Sequence, residues 1–212
     1  EMCIRDRSKY YPINDVEKAY ELLLNDHSTL GIILKYPTQN KKVHNIKIGR
    51  ENKERKFTLK TNPQISVIGA GNYARRILIP AFAKSDVIFN NISSISGAGS
   101  VFVGKKFKFR NATTNNDDIF NDNNTNAIII ASRHDSHAEL LLKGLKSGKN
   151  IFVEKPICLN LKELEEIKNY LFDKNVLKKP LLMVGFNRRF APLILDLKKI
   201  LGDISSPKAY VY

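Results

Sequence analysis

From residue 63 onward, short continuous apolar runs alternate with segments whose apolar residues recur every three or four positions. The runs are typical of buried strands, and the three-and-four spacing is typical of helices that pack on a sheet. Strands are predicted at ISVI (65–68), VIFNNISSIS (87–96), residues 107–113, AIIIA (127–131), NIFVEKP (150–156) and LLMVGF (181–186). Strands that alternate with helices predict an α/β fold with a doubly wound, mostly parallel sheet.

Residue types that favour helix ends mark the helices between these strands. Helices are predicted from Gly69 to about Lys84, over 98–106, 136–148, the segment LKELEEIKNYLF after Asn160, and 191–201, with a helical turn at 117–122. Ser136 and Glu139 have the spacing of a capping box, Asn160 is placed to cap the helix that follows it, and Gly148 ends the helix before it.

The N-terminal third follows a different pattern. Residues 1–7, EMCIRDR, resemble a translated sequencing adapter and are set aside. A helix over 14–25 and a strand over 31–36 are predicted, and residues 8–36 are interpreted as the tail of an upstream domain. Residues 37–62 are polar and basic and indicate a linker or a solvated hairpin. Residues 63–202 would then form the main domain, and 203–212 the start of a truncated one.

Composition limits the possible functions. The chain has 212 residues, of which 42% are apolar, so wholesale disorder is excluded. No apolar run reaches the ~18 residues that span a bilayer and no signal-peptide pattern occurs, so a cytoplasmic protein without a membrane partner is expected. The two cysteines, Cys3 and Cys158, cannot form a disulfide framework.

The net charge of +14 suggests nucleic acid as a partner, but its distribution argues against one. Residues 35–62 carry nine basic and two acidic groups, and so contribute half of the excess. Phe57 is the one aromatic residue among residues 41–60, whereas a nucleic-acid site would interleave aromatic and basic side chains. No nucleic-acid partner is therefore expected.

A glycine-rich loop is the first motif that carries chemistry. The sequence Gly69-Ala70-Gly71-Asn72-Tyr73-Ala74 follows an apolar strand and opens a helix, as a pyrophosphate-binding loop does. The carboxylate expected about twenty residues later is replaced by serines, among them Ser96, so both NAD and NADP remain open as cofactors. Ser96 and Ser100 could hydrogen-bond either a ribose or a phosphate, and Lys105 and Lys106 lie downstream.

Three further motifs follow the later strands, at the sheet edge where α/β proteins bind ligands. Ser132, Arg133, His134 and His137 follow the first of these strands; the two histidines lack enough further ligands for zinc, so no metal is expected. Lys155 of Glu154-Lys155-Pro156 could hold a substrate hydroxyl or act as an acid or base. Arg188 and Arg189 could hold phosphate, carboxylate or sugar hydroxyls.

Four segments, in this order and spacing, resemble the glucose-fructose oxidoreductase/inositol dehydrogenase/MocA (Gfo/Idh/MocA) family over residues 63–212. They are VIGAGNYA, IIIASRHDSHAEL, GKNIFVEKPICLN and MVGFNRRFAP. The resemblance implies a Rossmann domain that holds NAD or NADP. The cofactor-binding residues that it implies are Gly69, Gly71, Asn72, Tyr73, Ala74, Ser96, Ser132, Arg133, His137, Glu154 and Lys155. More weakly, KYYPINDVEKAYELLLN and LGIILKY are similar to the end of a zinc-type medium-chain alcohol dehydrogenase.

The resemblance also implies a function. A hydride would pass between the cofactor and a carbinol or carbonyl carbon of a sugar, cyclitol or nucleotide-sugar-like substrate, with Lys155 as catalytic residue and Arg188 on the substrate. The family's second domain supplies further acid and base groups and a surface for homo-oligomers, so this fragment is expected to be inactive by itself. The alternative is a non-catalytic Rossmann module that senses a dinucleotide.

Overall fold

The computed structural model describes residues 8–26, 29, 31–37, 43–49, 62–176 and 179–202, which belong to two compact units. The first unit ends at Val43 and the second begins at His44. The predictions for residues 1–7 and 203–212 lie outside the described residues.

The first unit contains a parallel strand–helix–strand arrangement. Its elements are β1 (Ser8–Pro12), α1 (Val16–Asn25) and β2 (Gly31–Lys35). The strands pair in parallel with Tyr10 opposite Ile33, and α1 is the crossover between them. Helix α1 and strand β2 agree with the sequence prediction, whereas β1 was not predicted. The similarity of this segment to an alcohol dehydrogenase stays a prediction.

The second unit contains a seven-stranded sheet in the order β3-β6-β5-β4-β7-β8-β9. The strands are β3 (Asn45–Lys47), β4 (Gln64–Ile68), β5 (Ile88–Ser93), β6 (Asn111–Thr113), β7 (Ala127–Ile130), β8 (Asn150–Val153) and β9 (Leu182–Val184). All neighbours pair in parallel except β3, which runs antiparallel to β6. The chain reverses its direction of winding between the central strands β4 and β7. The predicted α/β fold is confirmed.

Within residues 37–62, predicted as a linker or a solvated hairpin, Asn45–Lys47 form strand β3 of the sheet. Ile46 lies opposite Ala112 in the β3–β6 pair, and the Ile48 and Gly49 amides both donate to the Arg110 carbonyl at 2.9 and 3.1 Å. The sequence NIK is too short and polar to show a strand pattern. Its backbone hydrogen bonds to β6 nevertheless make it the edge of the sheet.

Helices cover both faces of the sheet because the buried strands are apolar on both sides. After the glycine loop comes a π-helical segment, Ala74–Leu78, that continues into α2 (Ile79–Phe82). The other helices are α3 (Gly97–Phe107), α4 (Asp117–Phe120), α5 (His137–Lys146), α6 (Leu161–Phe172) and α7 (Pro192–Leu201). One face buries Ile128 and Ile130 against α5, and the other buries Ile129 with the helix that follows β4.

Of the two predicted helix caps, one is present and one is absent. The Asn160 side-chain oxygen accepts from the Glu163 amide at 2.9 Å, so Asn160 caps α6 as predicted. The predicted capping box at Ser136 is wrong. The Ser136 hydroxyl donates to the Arg133 carbonyl at 2.8 Å instead, within a 3-10 turn (His134–Ser136) that precedes α5.

Among the described residues, no helix has both the length and the apolar character needed to cross a bilayer.

Candidate functional site

The candidate site lies where four parallel strands end in register. Ile68, Ile130, Val153 and Val184 are aligned across β4, β7, β8 and β9. The residue after each strand donates its amide to the neighbouring strand: Ala131 to Ile68 at 2.9 Å, Glu154 to Ile130 at 2.9 Å and Gly185 to Val153 at 2.8 Å. Gly69, Ala131, Glu154 and Gly185 therefore form a row along this edge, next to the point where the winding reverses. Open α/β sheets bind ligands at such a point.

Gly69 begins the row because no larger residue fits there. Its φ of +107° is in the region that favours glycine. A Cβ atom at Gly69 would lie 2.4 Å from the Ala131 carbonyl oxygen and 2.7 Å from the Ser132 nitrogen. Gly71 is different, since a Cβ there would meet no atom within 4 Å. Gly69 thus allows β4 and β7 to end close together, and Gly71 leaves open space beside the loop.

The remaining residues of the loop have distinct places. Ala74 is buried in the core, where its small side chain allows the helix to pack on the sheet. The Asn72 side-chain oxygen accepts a hydrogen bond from Arg75. The Tyr73 hydroxyl accepts from the Asn187 side chain at 3.1 Å, a contact between the glycine loop and the segment after β9.

A cavity of about 390 Å³ opens at this edge. It is lined by residues from four strand-end segments: Tyr73, Ala131, Ser132, His134, His137, Glu154, Lys155, Asn187 and Arg188. Six of the predicted site residues therefore lie together: Tyr73, Ser132, His137, Glu154, Lys155 and Arg188. Arg133 lines a neighbouring cavity of about 440 Å³ with Ser132, His134, Asp135 and Leu159.

Glu154 has the most unusual surroundings of these side chains. It is only 9% exposed, and its Oε1 atom has no hydrogen-bond partner. Its Oε2 atom accepts weakly from the Lys155 amide at 3.3 Å. A Cβ atom at Gly185 would lie 2.7 Å from Oε1, so the glycine after β9 leaves the room that the carboxylate occupies. A buried carboxylate oxygen without a partner is costly unless a ligand donates to it.

His137 lines the cavity, and the cofactor-binding role that the resemblance implies for it stays a prediction. Its side chain is fully buried at the start of α5, and both ring nitrogens face backbone carbonyls. Nδ1 lies 2.7 Å from the Pro156 oxygen, and Nε2 lies 3.2 Å from the Ser132 oxygen. Its edge-to-face partner is His134, at a centroid distance of 5.6 Å.

Ser96 and the two lysines considered with it lie at opposite ends of α3. Ser96 precedes α3, and its carbonyl accepts from the Ser94 hydroxyl and from the Gly99 amide. Lys105 and Lys106 are in the last turn of α3. That is about 12 Å along the helix from its start, so neither lies beside Ser96.

Three cavity residues, Ala131, His134 and Asn187, are not among the predicted site residues. Asn187 stands between Phe186 and Arg188 in a motif that was already singled out, and its contact with Tyr73 is 114 positions away in sequence. His134 was considered only as a metal ligand. The described residues contain no group of three or more His, Cys, Asp or Glu side chains arranged to hold a metal ion.

Fold and site together define a Rossmann-type dinucleotide-binding domain. The chain belongs to the Gfo/Idh/MocA oxidoreductases, because the model of this family, described as "Oxidoreductase family, NAD-binding Rossmann fold", matches residues 64–184. This confirms the predicted family, and its description agrees with the predicted nicotinamide cofactor.

Relatives of known name give the same assignment. The chain is 34% identical over 94 residues to inositol 2-dehydrogenase/D-chiro-inositol 3-dehydrogenase of Lactiplantibacillus plantarum, covering 43% of this chain and 26% of that protein. It is 30% identical over 134 residues to scyllo-inositol 2-dehydrogenase (NAD(+)) of Bacillus subtilis, covering 57% and 38%. The alignments thus span well under half of these relatives.

A solved structure has the same fold. Myo-inositol dehydrogenase from Lactobacillus casei, in complex with NAD(H) and myo-inositol, aligns with a TM-score of 0.60 and 23% identity. The alignment covers 66% of this chain and 41% of that one.

Proposed function

We propose that this chain is the cofactor-binding part of an NAD(P)-dependent oxidoreductase that acts on a CH–OH group of a sugar, cyclitol or nucleotide-sugar-like substrate. The observation that carries the proposal is the unpartnered Glu154 Oε1, buried in a cavity at the switch point of the sheet. A ribose or substrate hydroxyl is a donor of the kind that this oxygen lacks. The inositol dehydrogenases among the relatives support this class of substrate.

The glycine loop fits a dinucleotide. The open space beside Gly71 lets a pyrophosphate approach the backbone, and Asn72 and Tyr73 begin the helical segment whose first amides point toward it. Ser132 and Arg133 would contact the nicotinamide end, and Ser96 the adenosine ribose. Because no carboxylate follows β5, the proposal includes both NAD and NADP.

Hydride exchange at the substrate carbon is the chemistry that a nicotinamide supplies when bound. Lys155 is exposed to the cavity, and its ammonium group would donate to the reacting oxygen. When the carbon accepts hydride, that contact stabilises the negative charge that the oxygen gains and supplies the proton that it takes up. In the opposite direction, the neutral amine of Lys155 would accept the hydroxyl proton as the carbon gives up hydride. Arg188 lines the same cavity and would hold a second hydroxyl of the substrate.

A titration of the chain with NADH and NADPH, followed by cofactor fluorescence, tests the proposal. The chain contains no tryptophan, so protein emission does not interfere strongly. We expect binding by the wild type and loss of binding in Gly71→Asp, whose carboxylate would repel the pyrophosphate. Asn123→Asp is the matched control, since it adds the same charge on an exposed loop before β7, at the opposite edge of the sheet.

A second pair of variants tests the carboxylate. Glu154→Gln keeps the shape but removes the charge, and we expect about tenfold weaker binding because a charge-assisted hydrogen bond becomes a neutral one. Glu166→Gln removes an exposed charge from α6 and should bind like the wild type. Absence of binding by the wild type, or equal binding by Gly71→Asp, would contradict the cofactor assignment.

The same proposal includes a cytoplasmic location, the lack of nucleic-acid and membrane partners, and homo-oligomers formed through a second domain.

A further inference from the structure

The buried ring of His137 joins two of the strand-end segments that line the cavity. Its Nδ1 atom lies 2.7 Å from the carbonyl oxygen of Pro156, which follows β8. Its Nε2 atom lies 3.2 Å from the carbonyl oxygen of Ser132, which follows β7. The ring thus spans the gap between two neighbouring loops, and no part of the side chain reaches solvent.

Both partners of the ring are hydrogen-bond acceptors. A carbonyl oxygen has no proton to donate, and a neutral imidazole carries only one N–H group. A neutral ring would therefore satisfy one carbonyl and turn a nitrogen lone pair toward the other. Two hydrogen bonds form only when both ring nitrogens carry a proton.

We propose that His137 is a doubly protonated clamp that holds the loops after β7 and β8 together, and that it is a positioning residue for Lys155. The effect on Lys155 follows from the backbone. On one side of this lysine, the Glu154 amide donates to the Ile130 carbonyl at 2.9 Å. On the other side, the Pro156 carbonyl accepts from His137. Lys155 thus lies just after β8, and the peptide groups on both sides of it are held by hydrogen bonds.

A buried cation requires a compensating charge nearby. The titratable groups that line the cavity with His137 are Tyr73, His134, Glu154 and Lys155, together with the permanently charged Arg188. Of these, Glu154 alone carries a carboxyl group, and its Oε1 atom has no hydrogen-bond partner. The Glu154 carboxylate is thus the group of this cavity that could compensate the charge of the imidazolium.

The protonation state is tested directly by NMR of the full chain labelled with ¹⁵N-histidine. The chain has four histidines, and the ¹⁵N signals that disappear in His137→Asn are those of His137. At pH 7 we expect both nitrogens of His137 to show a bonded proton and protection from exchange. The exposed His44, whose Nδ1 atom lies 2.9 Å from the Thr114 hydroxyl, serves as the reference. An unprotonated His137 nitrogen at pH 7 would overturn the double protonation.

Two conservative variants distinguish the contribution of the His137–Pro156 contact from that of the His137–Ser132 contact. The amide of His137→Asn can donate from near the Nδ1 position and so keeps the Pro156 contact, whereas His137→Gln can donate only from near the Nε2 position. If the clamp positions Lys155, the Gln variant should bind NADH about fivefold to tenfold more weakly than the Asn variant at equal thermal stability. Equal affinities would show that His137 has a purely structural role.

This inference depends on the proposed function only for the identity of the ligand. If the wild type binds no NADH, the proposed function fails, and the nitrogen spectrum still decides whether the clamp exists. If both variants fail to fold, that spectrum of the wild-type chain remains the deciding measurement.

Discussion

Replacement of each glycine of the loop after β4 by alanine should have a different effect: Gly69→Ala should lower stability, and Gly71→Ala should weaken cofactor binding. In Gly69→Ala, the new Cβ would lie 2.4 Å from the Ala131 carbonyl oxygen and 2.6 Å from its carbon. Both are backbone atoms that cannot rotate away. In Gly71→Ala, the new Cβ would meet nothing within 4 Å.

The magnitudes follow from these two surroundings. A non-glycine residue at the positive φ of Gly69 costs about 1–2 kcal/mol. The backbone shift that relieves the overlap with the end of β7 adds about 1–3 kcal/mol to this cost, as in overpacked cores. Gly69→Ala should therefore lower the free energy of unfolding by about 2–5 kcal/mol, a large share of the ~5–15 kcal/mol typical of domains. Gly71→Ala should change it by less than about 0.5 kcal/mol.

Urea denaturation followed by far-ultraviolet circular dichroism measures the unfolding free energies, and NADH fluorescence measures binding. We expect Gly69→Ala to shift the unfolding midpoint strongly downward. We expect Gly71→Ala to keep the wild-type midpoint but to bind NADH more weakly, since a methyl group now stands where the pyrophosphate approaches. A wild-type midpoint for Gly69→Ala would refute the close approach of β4 and β7. Wild-type affinity for Gly71→Ala would refute the assignment of the loop.

Three further changes test other parts of the structure. Asn160→Ala removes the cap of α6 and should cost about 0.5–2 kcal/mol in a urea melt, whereas Ser136→Ala removes no helix cap and should cost less. Gly185→Ala places a Cβ 2.7 Å from the buried carboxylate oxygen, and should weaken NADH binding in a fluorescence titration more than it lowers the melting temperature. The hydrogen bond and charge of Glu139 raise the pKa of Lys143. The stability that this pair adds should be complete below the ordinary lysine value of about 10.4 and should be lost as pH rises through the raised pKa of Lys143. The difference in melting temperature between wild type and Lys143→Met should therefore disappear only above that raised pKa.

The main strands were predictable because their apolar runs are continuous. AIIIA became β7 and ISVI became β4, each buried on both faces. Strand β3 could not be found in this way, since the residues NIK have no apolar pattern and belong to the sheet only through their pairing with β6. Strand β1 was missed for a similar reason. Periodicity detects which residues are buried, and an exposed edge strand buries almost nothing.

The candidate site was predictable only in outline. The rule that ligands bind at strand ends brought Ser132, Lys155 and Arg188 to one edge of the sheet. The burial of Glu154 depends on the absence of a side chain at Gly185, thirty-one positions later, which no local pattern reveals. In the same way, the helix-start pattern predicted a cap at Ser136. It gave no sign that the loop would fold as a 3-10 turn with its own acceptor for that hydroxyl.

Some residues buried inside the sheet are polar, so residue type alone does not show which residues of this chain are buried. Asn91 lies in β5 and is buried, where an unpaired amide would be costly. Its Nδ2 atom donates to the Asp122 carboxylate at 2.7 Å, and its oxygen accepts from Asn111 at 2.9 Å. Ser66 in β4 shares a hydrogen bond with Thr125 at 2.7 Å. Asp122 and Thr125 both belong to the Asn-rich segment 115–126, within which the sequence predicts only a helical turn at 117–122. That segment therefore supplies partners to polar strand residues, because a strand with buried amides can join the core only if another segment completes their hydrogen bonds.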